Sequence, residues 1–349
     1  MSAGVLESLE RRVAAQNQAA HRRAGRLGWA GPLAEVLGRW ASPVPGDAEG
    51  GARWLQRALD AWAEFVAWAK WWERTLPPFS WPVISSAPTA LSGGRRARLT
   101  VLLITKNEEA KLPRCLDSVR WADEVVVVDG QSTDRTRELA QAFGATVVNR
   151  PFSGSFAEER NAGLDAARGD WVLQMDADEL VSPELRAAIE RVLREGSPHA
   201  ALKIRRRNYF LGRRMRYGGW YHYNLVLFRR PLARYEGLVH ERLQVQGSVG
   251  TLEGDLLHVP FQSLAQFIDR QNRYTTLQAR ELLQRPDRPD AAMIARQLRR
   301  RPVKLWWKLY VKKQGFRDGL WGLVFSVLFA WVDWLIWAKC WEATYAQER

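Results

Sequence analysis

From Leu99 to about Glu195, short apolar runs alternate with amphipathic stretches. LTVLLIT (99–105) and EVVVVD (124–129) read as strands, and the stretch Glu108 to Val119 between them carries helical periodicity. STDRTRELAQAF (132–143) reads as a helix opened by the capping residues Ser132 and Thr133. ATVVN, the helical FAEERNAGLDAA, the strand DWVLQM running into Asp176, and SPELRAAIERVL continue the pattern. In the last of these, Ser182 is placed to cap and Pro183 fits the first helical position. Such alternation predicts an α/β fold: a Rossmann-like parallel sheet with helices on both faces, which binds its ligand beyond the carboxyl ends of the strands.

The flanks differ from this centre. Fifteen of the 18 tryptophans lie before Arg95 or after Pro302. The N-terminal region reads as helical, broken at GWAGP, SPVPGDAEGG and a Pro-rich LPPFSWPVISSAPTALSGG that suits a linker. AWAEFVAWAKWWERTL (61–76) matches AWVDWLIWAKCWEATY (330–345) without a gap, which reads either as convergence of Trp-rich composition or, since the polar positions Lys70/Lys339 and Glu73/Glu342 agree too, as a duplicated amphipathic helix. The apolar stretch Leu320 to Ala338 approaches membrane-span length, but Asp333 within it would cost about 2.5–3.5 kcal/mol near a bilayer centre. A helix lying in the interface, or packed on its counterpart near Trp62 to Trp72, buries the same surface without that cost. Four segments follow: a helical extension (1–76), a linker (77–98), a catalytic domain (99–290) and a basic helical tail (291–349).

At 349 residues and 46% hydrophobic content the chain is long enough for a large core, which excludes a disordered or disulfide-stapled class. Cys115 and Cys340 lie far apart and the start lacks the apolar core of a secretory signal, so the expectation is a reducing, cytoplasmic setting without a structural zinc site. A net charge of +14 points to a polyanionic partner. Between Ala291 and Arg317 nine Arg and Lys residues mix with Trp306, Trp307 and Tyr310 and no acid intervenes, a composition suited to a lipid headgroup layer.

The candidate chemistry begins at MDADE, where Asp176 and Asp178 follow a strand. A D-x-D spacing arises by chance roughly once in a chain of this size, so its context decides. Asn107 follows the first strand, Asp129 ends the second and Asp176 ends a later one, which brings polar groups from three strands to one edge. Asp129 with Ser132 also reads as a simple turn and cap. In an extended strand end Asp176 and Asp178 would face one side and could share a hard divalent ion, Mg or Mn, which neutralises a leaving diphosphate.

ITKNEE, VVVDGQSTD, RNAGLDAARGDW and MDADE, in this order, resemble the inverting family-2 glycosyltransferases of the GT-A fold. RRRNYFLG, NLVLFRR, YEGLVHERL, GDLLHVPFQSLAQFIDRQNRYT and KKQGFRDGLWG resemble the narrower branch of lipopolysaccharide-core β-glucosyltransferase-like proteins. The resemblance implies a GT-A mixed sheet and a nucleotide-sugar donor, a UDP-sugar first. It places Thr105, Asn107 and Glu108 along the nucleotide pocket, Asp129 at the base, and Arg160 near the nucleotide or its phosphates. Asp176 and Asp178 would hold ribose, diphosphate and metal. Asp129-Gly130-Gln131-Ser132 departs from the family's usual Asp-Asp-Gly-Ser or Asp-Ser-Gly-Ser, which puts the turn and the base contact in question.

Inversion with a hydroxyl acceptor needs a base, and the branch resemblance points to Glu241 in LVHERL; the bland alternative is an exposed Glu beside Arg242. His240 would orient it or hold an acceptor phosphate. His258 reads either as a further metal ligand or as a hydrogen-bonded core histidine. The basic, aromatic segment Arg205 to Tyr217 suits an anionic glycolipid, and otherwise a solvated strand face. The expectation is a metal-dependent inverting transfer of a hexose to a lipid-linked or lipopolysaccharide-like acceptor. It would occur peripherally at the inner face of the cytoplasmic membrane, with no nucleic-acid partner. A polyprenyl-phosphate acceptor, which needs no strong base, and a basic membrane or nucleic-acid binding protein with a vestigial site are the alternatives.

Overall fold

The apolar runs form strands and the amphipathic stretches form helices. The structure is a computed structural model that describes residues 9–16, 18, 30–42, 48–82, 96–151, 155–237 and 242–345. In chain order the elements begin with α1 (9–16), α2 (Ala30–Ala41), α3 (Ala48–Arg74), β1 (Leu99–Thr105), α4 (Leu112–Ser118), β2 (Glu124–Asp129), α5 (Thr136–Phe143), β3 (Thr146–Asn149), α6 (Phe156–Ala166) and β4 (Trp171–Asp176). There follow β5 (Glu179–Val181), α7 (Pro183–Glu195), β6 (Ala201–Phe210), β7 (Arg213–Arg214), β8 (His222–Arg229), β9 (Ala233–Glu236), β10 (Arg242–Val245), β11 (Val249–Phe261), α8 (Leu264–Gln284), α9 (Ala291–Trp307) and α10 (Leu320–Tyr345). The chain divides into a sheet unit, Trp81–Tyr209 with Tyr221–Pro260, and a helical unit, Met1–Ser80 with Phe210–Trp220 and Phe261–Arg349. This differs from the four-segment expectation. The two ends of the chain belong to one unit, and α8, assigned from sequence to the catalytic domain, joins them.

In the sheet unit the strand order is β3-β2-β1-β4-β8-β6-β11-β5. β3, β2, β1 and β4 run parallel, and β8 joins β4 antiparallel, which gives the mixed sheet of a GT-A fold. The order reverses direction at β1: β2 and β3 lie to one side and β4 to the other, so β1 and β4 flank a switch point. Alternation along β1 feeds both faces. Leu99, Val101 and Leu103 pack with residues of α4, α5 and α7, whereas Leu102 packs with Val126, Val128 and the α6 residues Ala157 and Leu164. Gly163 lets α6 approach β1, since a Cβ there would come within 2.2 Å of Leu102 Cδ1. Ser182 caps α7 through Leu185 N–H, with Pro183 in the first turn. The expected cap of α5 is corrected. That helix starts at Thr136, because Asp134 Oδ1 accepts from both Thr136 N–H (3.0 Å) and its hydroxyl (2.5 Å), releasing Ser132 and Thr133 for another task.

In the helical unit, α10 meets the length and composition of a membrane span, and 67% of its apolar window is buried inside the protein. Asp333 lies 2.9 Å from Arg301 of α9, an ion pair that opposes the upward shift burial imposes on its carboxyl. The likeness of α3 and α10 extends to their contacts. Trp62 and Trp331, at matching positions, stack with centroids 4.2 Å apart and planes 6° from parallel. A residue meeting its own counterpart is what a local twofold relation produces. Glu73 accepts from Leu264 N–H at the start of α8 (2.7 Å), and its counterpart Glu342 accepts from Leu9 N–H in α1 (2.9 Å). The capped helices are alike in sequence too: Ser8-Leu9 and Gln16-Asn17 recur as Ser263-Leu264 and Gln271-Asn272.

Candidate active site

Parallel register places the ends of three strands side by side. Thr105 pairs with Asp129, and Ile104 pairs with Asp176. The loops beyond β1 and β2 are tied together. Asn107 N–H donates to Ser132 Oγ (2.9 Å), and Asn107 Oδ1 accepts from Thr133 N–H (2.8 Å). Glu108 N–H donates to Thr136 Oγ1 (2.8 Å) and Gly130 N–H to Thr105 O (2.9 Å). Asn107 and Gln131 both take left-handed backbone conformations, φ 56° and 60°, to make this junction. Asp129 is fully buried. Its Oδ2 accepts from Ser132 N–H (3.1 Å), the turn foreseen as the plainer reading, while Oδ1 has no hydrogen-bond partner among the described residues. A buried carboxylate oxygen in that state costs about 1–3 kcal/mol until a donor meets it.

β4 ends at Asp176, and a turn through Ala177 and Asp178 leads into β5. Asp178 thus lies in a turn rather than in the extended strand end expected for it, and the two carboxylates meet different protein partners. Asp176 is 37% exposed; it meets Arg206 Nη2 at 2.8 Å and Arg160 Nη2 at 4.0 Å. Asp178 is buried, with Lys111 Nζ at 3.9 Å and His258 Nε2 at 3.6 Å. His258 Nδ1 sits 2.6 Å from Asn208 Oδ1. With Nδ1 protonated toward that oxygen, a neutral ring turns its Nε2 lone pair to Asp178, and a protonated ring donates Nε2–H to it. In the neutral form the pair offers a nitrogen and a carboxylate to a cation.

Glu179 completes a ring of contacts. It accepts from Asp176 N–H (2.9 Å) and from Arg206 Nε (2.5 Å), while Arg206 returns to Asp176. Burial raises the Glu179 carboxyl to about 7, Arg206 opposing and the neighbouring Asp176 and Asp178 adding to the rise. Burial also pushes the Cys115 thiol well up, with Glu179, Asp178 and Asp176 acting in the same direction, so it stays protonated. Lys111 bridges Glu108 (3.1 Å) and Asp178, linking the first loop to the acidic turn.

Thr105, Asn107, Glu108, Asp129, Arg160, Asp176, Asp178 and His258 thus all belong to the sheet unit, most of them in the network at its strand ends. Glu241 and His240 lie outside the described residues. Among those described, no group of three or more His, Cys, Asp and Glu forms a ready metal cage. Three of the six arginines in the segment Arg205 to Tyr217, expected to grip an acceptor, are committed internally. Arg205 and Arg207 both bind the buried Asp255, and Arg206, projecting to the opposite side of β6, binds Glu179 and Asp176. Lys111 and Glu179 were not singled out from sequence, though Glu179 is visible as the third acid of MDADE; Arg206 and Asn208 were noted only as part of the basic segment Arg205 to Tyr217.

A Rossmann-like sheet with a switch point, an acidic turn at the end of its fourth strand and antiparallel strands beyond it is the arrangement expected of a GT-A fold. Residues 100–245 match the family Glycosyl transferase family 2, and the chain carries a domain of that family. An uncharacterized glycosyltransferase of Rickettsia bellii is 28% identical over 258 residues, covering 69% of this chain and 85% of that one. The lipopolysaccharide core biosynthesis glycosyltransferase LpsC of Rhizobium meliloti is 29% identical over 242 residues, 64% and 82% of the two chains. Among solved structures, S. aureus TarS 1–349 in complex with UDP aligns with a TM-score of 0.37 at 16% identity, over 72% of this chain and 92% of that one.

Proposed function

We propose that the chain transfers a hexose, glucose as first candidate, with inversion from a UDP-sugar to a lipid-linked or lipopolysaccharide-core-like saccharide at the inner face of the cytoplasmic membrane. The observation that carries this reading is the acidic turn after β4. There Asp178 lies 3.6 Å from His258 Nε2 while Asp176 stays partly exposed beside Arg160 and Arg206. Asp178 and His258, with Asp176, would hold Mg or Mn. Such ions take their remaining ligands from substrate phosphates and water. When bound, such an ion neutralises the departing diphosphate. Asp129 Oδ1 would accept an N–H of the base, Asn107 and Glu108 would line the nucleotide pocket with Thr105, and Arg160, Lys111 and Arg206 supply positive charge for phosphate oxygens. Glu241, next to the first residue of β10, is the proposed base that takes the acceptor proton. The likeness to LpsC supports an acceptor of the lipopolysaccharide-core kind.

Hydrolysis of a panel of nucleotide sugars, with and without Mn, tests the donor. UDP-glucose is expected to turn over fastest and only with metal, and turnover indifferent to both nucleotide and metal would overturn the reading. Glu241→Gln separates the acceptor classes: loss of about 10²–10⁴-fold in transfer fits a hydroxyl acceptor, and near-normal turnover fits a polyprenyl phosphate.

A further inference from the structure

α9 and the turn after it present a charged face with no internal purpose. Arg296, Arg300, Lys304, Lys308 and Lys312 recur at four-residue intervals, and each is exposed. Four-residue steps overshoot a full α-helical turn and drift around the axis. From Lys308 to Lys312 the backbone widens into a π turn, which draws the end of the row back into line. Among the described residues, no ion pair engages these five or the exposed Lys313, and no acid lies between Asp290 and Asp318. Arg301, on another side of the helix, pairs with Asp333, so the internal need for a cation is already met. Aromatic rings accompany the row. Trp306, Tyr310 and Phe316 are in successive ring contact, and Trp307 and Phe316 are each 50% exposed.

We propose that this face, Arg296 to Phe316, docks on an anionic phospholipid bilayer, its cations meeting headgroup phosphates while Trp307 and Phe316 enter the interfacial layer. Long basic side chains lay their stems on apolar surface and keep their charge among headgroups, and indole rings settle at the same level. The charge supplies attraction at a distance and the rings supply burial on contact. The surface rests on the lipid-linked acceptor reading only for its purpose, and its test involves no sugar transfer.

Flotation of the full chain with vesicles of phosphatidylglycerol in phosphatidylcholine is the test, against phosphatidylcholine alone. Binding is expected to need the anionic lipid and to fall steeply with added salt. Each basic residue near such a surface contributes about fivefold. Lys304→Glu, Lys308→Glu and Lys312→Glu together should therefore lower partitioning by at least about 100-fold. Trp307→Ala with Phe316→Ala should lower it about tenfold, even at low salt. An unchanged melting curve and unchanged donor hydrolysis in the triple variant would separate lost docking from lost folding or a failed donor reading. Equal binding to neutral vesicles, full binding by the triple variant, or preferential capture by an oligonucleotide at matched phosphate concentration would each overturn the proposal.

Discussion

Lys339 in the helical unit and Glu179 in the sheet unit are both buried charges, and their surroundings differ in kind. Lys339 Nζ is enclosed by oxygens of α8: Asn272 O (2.5 Å), Asn272 Oδ1 (2.8 Å), Thr275 Oγ1 (3.0 Å) and Thr276 Oγ1 (2.6 Å). Every donor it has is used. Glu179 shares Arg206 with Asp176, whose side chain is 37% exposed, and lies beside the buried Asp178, itself 3.6 Å from His258 Nε2. A closed set of partners stabilises a fold, whereas an open one leaves charge for a ligand. On the proposed reading the chemistry belongs to the sheet unit, and the charges buried near α10 belong to architecture.

The largest effect that could break this contrast is on activity. Asp176→Ala with Asp178→Ala should reduce turnover at least about 10³-fold, the scale of lost electrostatic stabilisation at a reacting centre. Steady-state assay with the best donor measures it, and activity within tenfold of the parent would contradict the contrast. Lys339→Met should leave turnover near normal and lower unfolding stability by about 1–3 kcal/mol, because the oxygens of Asn272 and the two threonines lose their donor. Urea denaturation reads this directly.

Titration sharpens the same comparison. Burial lowers the Lys339 ammonium from 10.5 to about 7, so between those values the folded chain binds fewer protons than the unfolded one. Its contribution to stability is present above pH 10.5 and is lost as pH falls toward about 7. Lys339→Met should flatten that slope. Glu179 has the opposite sense. With its carboxyl raised from 4.5 to about 7, its contribution is present below pH 4.5 and is lost as pH rises to about 7. Glu179→Gln should remove that trend and, by loosening Arg206 from Asp176, cost about tenfold in kcat/KM. The smallest effect concerns the repeat: Glu73→Gln and Glu342→Gln should each cost about 0.3–1 kcal/mol as weakened helix-start contacts. Unequal losses measured by thermal melting would speak against equivalent roles.

Much of the fold was legible because both periodicities were clean: the parallel strands and their helices stand close to where the apolar runs place them, and Ser182 caps as expected. The start of α5 was not, because the bonds that decide it join two loops distant in sequence. Asn107 recruits Ser132 and Thr133 across the strand ends, and Asp134 takes their place. The acidic turn was visible as a motif, but its division between two sets of partners depends on where Lys111, Arg206 and His258 arrive from α4, β6 and β11. RRR in β6 looked like a ligand grip because charge alone does not reveal Asp255 buried beneath it. The matching tryptophan segments were plain, yet their meeting through Trp62 and Trp331 required the fold.

The central claim is that the acidic turn binds a divalent cation and donor diphosphate together, through Asp178 and His258. Calorimetric titration of UDP into the parent chain and into Asp178→Asn, with Mn and with chelator, tests it most directly. The account predicts that Mn tightens UDP binding at least about tenfold in the parent and has no effect in the variant. Equal UDP affinity in all four titrations would contradict it.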